Sequence, residues 1–185
     1  MLILTFITAF ATAFGMARHS ESNALRQTAP SYLTTTEEAA LHLGASTFAG
    51  ELFSVDPAVL LALAYRESRY TLGVTGPKVK GTHACGLLQP TMHVETCREQ
   101  TVLGGYLEGA RHLRTWLDTK TCHGDLRCAL LGYAGGYALL NGCAAGPVMV
   151  ERSGRRADLC GFVVDSITTR AGWIRSRLNQ AQGAS

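Results

Sequence analysis

Glu67 is the residue of this chain whose surroundings best suit proton transfer. It stands in the segment DPAVLLALAYRESRY, seven, four and three residues after Leu60, Leu63 and Ala64. If the segment is helical, that spacing continues the apolar stripe that faces the core. Arg66 and Arg69 then point elsewhere. A carboxylate at the end of an apolar face is partly desolvated, which raises its pKa and lets it hold a proton near neutral pH. That is the property of a general acid able to protonate a leaving oxygen. The same position also suits a buried glutamate paired with an arginine from another helix, and periodicity alone weighs the two evenly.

Other chemistry-bearing residues are less well placed. Glu95, Glu108, Asp118 and Asp125 read as solvated or capping carboxylates. A metal site would recruit His83, Cys85, Cys97, Cys122 and His123, but their spacing follows no structural zinc template. The six cysteines, at 85, 97, 122, 128, 143 and 160, contain no CxxC. An even number in one part of a domain fits disulfides in an oxidising compartment, with 15 pairings open. Cys122 and Cys128 are near enough to staple the loop ahead of a helix.

The elements that must hold Glu67 are mostly helical. Thr35 and Glu38 form a capping signature before EAALHLGASTFAGELF. Asp56 and Pro57 then start the helix that carries Glu67. Gly73, Gly76, Pro77 and Gly81 break the pattern, marking a loop or small hairpin near residues 72–86. Helical periodicity returns over 91–100 and more strongly over 101–118, where Leu103, Tyr106, Leu107, Ala110, Leu113 and Leu117 share a stripe. Asp125 caps a further helix with Ala129, Leu130, Tyr133 and Leu139; glycines at 132, 135 and 136 predict an early end or a close approach. A last helix uses Leu159, Phe162, Val163, Ile167, Ile174 and Leu178. Residues 18–34, polar and with a proline, read as a linker. The uncharged head at 1–17 reads as an export signal or anchor, although it lacks a basic residue before Leu2 and no cysteine follows it for lipid attachment.

With 185 residues, 46% hydrophobic and 17% charged, the chain is one ordinary domain, and its net charge of +3 comes without any run of Lys and Arg. A nucleic-acid partner is therefore not expected.

Three short segments come in a telling order. Tyr65-Arg66-Glu67-Ser68-Arg69-Tyr70 precedes Gly86-Leu87-Leu88-Gln89-Pro90, and Ala129-Leu130-Leu131-Gly132-Tyr133-Ala134-Gly135-Gly136 follows after a long helix. Over about residues 36–140 this resembles the soluble lytic transglycosylase (SLT) family of the lysozyme-like superfamily. That family shows a helix ending in E-S-x-aromatic, then G-L-M-Q, then an A-Y-N-A-G-like segment. The resemblance implies a mainly α, lysozyme-like fold (goose-type lysozyme or SLT catalytic domain) with at most a short β-hairpin. The catalytic domain would span 35–183 with its motif core at 56–140. It further implies that Glu67 is the catalytic acid and then base, and that Ser68 positions substrate or the acid. Gly86 to Gln89 would line a glycan groove, Leu88 among them, with Gln89 contacting sugar or supporting Glu67. Tyr133 would hydrogen-bond near the catalytic carboxyl. Ala134 stands where the family has an asparagine, so a substrate-orienting amide is absent at that position.

The implied reaction cleaves the bond between N-acetylmuramic acid and N-acetylglucosamine in peptidoglycan and leaves a 1,6-anhydromuramyl end. Hydrolytic glycosidases use two carboxylates. Here only Glu67 is suitably placed, and one suffices when the substrate supplies its own nucleophile. Neither metal nor organic cofactor is required. The expected partner is the glycan strand, with the N-terminus directed to a membrane, a virion or a secretion assembly in an extracytoplasmic setting. Two other readings stand beside this one: a goose-type lysozyme that hydrolyses the same bond, and a non-catalytic glycan-binding or structural component with the same fold.

Overall fold

The computed structural model describes residues 19–79, 82–92, 100–152 and 155–183. The chain is mainly helical. In order along it come α1 (His19–Thr28), α2 (Thr36–Phe53), α3 (Pro57–Ser68), β1 (Thr75–Val79), β2 (Thr82–Cys85), β3 (Thr91–Met92), α4 (Val102–Leu117), α5 (Leu126–Ala145), β4 (Met149–Arg152), β5 (Arg155–Asp158) and α6 (Leu159–Gly183).

The start signals work as their chemistry dictates. Thr35 Oγ1 accepts from Glu38 N at 3.1 Å, while the Glu38 carboxylate reaches back to Thr34 N at 2.9 Å. That is a capping box displaced by one residue on its return arm. Asp56 accepts from Ala58 N at 2.8 Å, with Pro57 opening α3. Asp125 accepts from Cys128 N at 2.6 Å at the head of α5.

α3 is the central element. Every residue from Ala58 to Ala64 is buried, so the helix is apolar all round rather than on one stripe. It packs against α2 and α6 and touches α4. Residues 18–34 do not form a linker. α1 packs against α2 and α6, and Leu25, Ala29 and Leu33 lie in the core. Burying each leucine contributes about 1.5–3 kcal/mol, which outweighs the polar character of the rest of the segment. On α6 the buried face is Val163, Val164, Ile167, Ala171 and Ile174, whereas Phe162, expected inside, is exposed.

There is more β structure than the expected single hairpin. β1, β2 and β3 form an antiparallel three-stranded sheet, in which Thr75 pairs Cys85 and Ala84 pairs Thr91, with a register irregularity between Thr75 and Lys78. Thr91 and Met92 are thus strand rather than helix, and the rest of the helix expected over 91–100 lies largely outside the described residues. A second antiparallel pair, β4 with β5, aligns Met149 with Asp158 and Arg152 with Arg155. Its signal in the sequence was Ser153-Gly154 between two strand-length runs.

Two disulfides close the carboxyl-terminal half. Cys122–Cys128 staples the loop ahead of α5, and Cys143–Cys160 joins the end of α5 to the start of α6. Such bonds persist in an oxidising, extracytoplasmic compartment. Among the described residues no helix is long and apolar enough to cross a membrane. The head at 1–17 lies outside them.

Candidate functional site

Glu67 sits in the last turn of α3 with 20% of its side chain exposed. Burial raises its pKa above the ordinary carboxylate value, and the Arg66 and then the Arg69 cations offset part of that rise. Arg66 does not point elsewhere, as helical geometry alone suggested. Its long side chain folds back so that Nη1 donates to Glu67 Oε1. The glutamate is therefore paired, but with its own neighbour rather than with an arginine from another helix. Ser68 Oγ donates to Ala64 O at 3.0 Å, so its proton is engaged within the helix.

Beyond Ser68 the chain turns through two consecutive non-glycine residues of positive φ, Arg69 at 57° and Tyr70 at 63°. A third, Gln89 at 54°, stands in the second motif. Such conformations persist only where surrounding structure imposes them, and they gather at functional sites.

The segment from Gly86 to Pro90 is held by side-chain amides. Gly86 has φ 79°, and a Cβ there would lie 2.0 Å from Gln100 Oε1. That oxygen accepts from Leu87 N at 2.8 Å. Gln89 Nε2 donates to Val74 O and to Gly86 O, both at 2.8 Å. The Gln89 amide nitrogen, expected to serve sugar or Glu67, thus clamps its own loop to the strand-side chain. Leu88 is fully buried, so its side chain packs inward and only its backbone serves the site. Its carbonyl accepts from Tyr133 Oη at 2.7 Å.

That hydrogen bond joins the second and third motifs. Burial pushes the Tyr133 phenol well above its usual value, and the charges of Glu67 and then Glu108 add to the rise. Tyr133 therefore faces the field of the candidate acid while tied to the Leu88 carbonyl. His112 stacks edge-on against Tyr133 with ring centroids 4.9 Å apart. Burial, helped by Arg111, lowers the His112 pKa, which favours the neutral ring.

One face of α4 backs this wall. Cβ atoms at Gly105 and Gly109 would come within 2.7 Å of the Leu87 side chain and 2.4 Å of the Leu88 side chain. His112 follows against Tyr133, and Trp116 lies over Gly132, where a Cβ would sit 2.3 Å from the indole. The close approach expected of the α5 glycines is real at Gly132. The early end is also present: α5 is two helical stretches interrupted by a kink at the non-helical Gly136, with φ 62° and ψ −161°. Ala134 is exposed.

Sequence reasoning missed Gln100, His112 and Trp116. Their signal was spacing: Gly105, Gly109, His112 and Trp116 recur on one helical face, apart from the apolar stripe that marks the core. Glu108 is exposed and paired with Arg111 at 2.9 Å, Asp118 is exposed and paired with Arg114, and Asp125 caps α5. Glu95 lies outside the described residues. Among the described residues no group of three His, Cys, Asp or Glu is placed to hold a metal ion. Comparison of the chain with protein-family models, with curated proteins and with solved structures returned no match.

Proposed function

We propose that this chain is a peptidoglycan lytic transglycosylase of lysozyme-like fold, with Glu67 as general acid and then general base. The observation that carries the reading is a carboxyl of raised pKa at the end of the central buried helix. It acts electrostatically on a tyrosine that is hydrogen-bonded to the Gly86–Gln89 segment. Nothing in the packing of α3 requires an acid there.

In this mechanism protonated Glu67 donates its proton to the oxygen between N-acetylmuramic acid and N-acetylglucosamine, and the C1–O4 bond breaks. The N-acetyl carbonyl of the muramyl residue stabilises C1 as the leaving group departs. The Glu67 carboxylate then takes the proton of the muramyl 6-hydroxyl, whose oxygen bonds to C1. A 1,6-anhydro end forms, no water is consumed, and Glu67 ends protonated as it began. Tyr133 fixes the Leu88 carbonyl within reach of the acid's charge, and Gln89 and Gln100 hold the loop. The net charge of +3 is compatible with an anionic wall.

Mass spectrometry of digested peptidoglycan tests the chemistry, with anhydromuramyl products expected. Reducing ends alone would instead assign a goose-type hydrolase. One observation favours that second reading: Glu108, like Glu67, is close enough to Tyr133 for its charge to act on the phenol, and would supply a second carboxylate. Glu67→Gln should abolish clearing of cell-wall suspensions. Its melting temperature at neutral pH should equal or exceed the parent's. A carboxyl whose folded pKa lies above its unfolded value loses stability as pH rises through that range, and the amide does not. Full activity in this variant would remove Glu67 from the mechanism, whereas a parent that clears nothing would leave the non-catalytic reading standing.

A further inference from the structure

The wall that begins at Glu67 does not stop at the three motifs. α4 is unbroken from Val102 to Leu117, so His112 and Trp116 are about one turn apart on the same face, about 6 Å along the axis. His112 meets the edge of Tyr133, and Trp116 meets the edge of Tyr137 at a centroid distance of 4.9 Å. Two aromatic pairs are thus stacked along the α4–α5 seam, the first beside the candidate acid and the second one turn further on.

The second pair differs from the first in being open. Among the described residues Tyr137 is the most exposed of the large hydrophobics, at 55%. Ala134, Gly135 and Ala138 beside it are also exposed and carry at most a methyl. The kink at Gly136 sets Tyr137 apart from the regular helix that carries Tyr133. Trp116, by contrast, is anchored against Gly132. The rings meet at 62°, so the exposed tyrosine is braced edge-on against an anchored tryptophan, a rigid aromatic ledge with a polar rim and little conformational entropy to lose.

We propose that Trp116 and Tyr137 form an aromatic subsite that stacks a pyranose ring of the glycan strand beyond the bond addressed by Glu67. The inference rests on the transglycosylase reading above and extends it. The faces of β-linked N-acetylhexosamine rings present C–H groups that pack on aromatic rings, while their equatorial hydroxyl and amide groups stay at the rim in water. Spacing by a helical turn from the first pair lets the site hold a strand rather than a single disaccharide, giving preference for long substrates.

The test uses the full chain. Trp116 and Trp173 are its two tryptophans, so Trp173→Phe leaves Trp116 as the sole indole reporter. Titration with N-acetylglucosamine hexamer should change the Trp116 fluorescence. In the same background Tyr137→Ala should weaken hexamer binding about ten-fold, and Tyr137→Phe should restore it. On purified peptidoglycan Tyr137→Ala should raise KM with kcat little changed. Parent-like hexamer affinity and KM in Tyr137→Ala would overturn the subsite, as would a Tyr137→Phe variant no better than the alanine. Glu67→Gln separates the two claims: if it is inactive while Tyr137→Ala is unaltered, only the subsite falls. If Glu67→Gln keeps full activity, the catalytic reading falls with it.

Discussion

Arg66 governs when Glu67 carries its proton. Burial pushes the carboxyl pKa up, and the guanidinium beside it pulls part of the way back. Both side chains keep about a fifth of their surface in water, at 22% and 20%, so the pair is screened and modest in strength. Arg66→Ala removes the cation and leaves the burial, and the carboxyl should titrate at higher pH. For a general acid the alkaline limb of the activity profile then moves upward. A pH–rate profile of parent and variant on cell walls checks this; an unmoved limb would detach Arg66 from the acid. Glu67 itself was legible in the sequence, because its position after Leu60, Leu63 and Ala64 depends only on helix geometry. The Arg66 contact was not, since a four-torsion side chain can return to a neighbour that its Cβ points away from. Gln89 was legible as a polar residue of the second motif but not as a clamp, because its partners are backbone carbonyls that come within reach only once the loop is folded.

Among the elements, the fit of the Gly86–Pro90 loop against α4 depends on two absent side chains. Gly109 leaves room for Leu88, whose side-chain atoms would be 2.4 Å from an added Cβ. Gly109→Ala must displace Leu88 and with it the carbonyl that receives the Tyr133 hydroxyl. Overpacking of this kind costs about 1–3 kcal/mol. Urea unfolding should register that loss, and activity should fall more than stability does because the displaced carbonyl belongs to the site. A control in open space, Gly172→Ala, has nothing within 4 Å of its added Cβ and should be neutral or stabilising. The helices with strong start signals, α2, α3 and α5, were readable from Thr35, Asp56 and Asp125 alone. α1 was not, because its core anchors Leu25, Ala29 and Leu33 are separated by polar residues and two of them lie past its end. β4 and β5 were hidden by charge: Glu151, Arg152, Arg155 and Arg156 suit a loop as readily as an exposed hairpin.

For the molecule as a whole, a buried imidazole sets a lower pH limit on stability. His42 is 2% exposed in α2, its Nδ1 lies 3.1 Å from Tyr106 Oη, and its ring meets Tyr70 edge-on. Burial lowers its pKa from 6.5 to about 4, against a small opposing pull from Glu38. Between those values the unfolded chain binds a proton that the folded chain refuses. Stability is therefore present above about pH 6.5 and is lost as pH falls toward 4, by up to roughly 3 kcal/mol. His112, also lowered by burial, adds in the same direction. Chemical unfolding at pH 7.5 and 4.5 should show the drop, and His42→Asn should remove most of it; an undiminished drop would place the sensitivity elsewhere.

The Cys143–Cys160 bond has a covalent consequence of its own. With a sequence separation of 17, it turns the end of α5, the β4–β5 hairpin and the start of α6 into a closed ring. A protease that nicked this hairpin would release nothing. The two fragments would stay linked through sulfur, with α6 still laid against the helix that carries Glu67. The hairpin within the ring can thus be cut in an oxidising, extracytoplasmic compartment without the molecule losing a part.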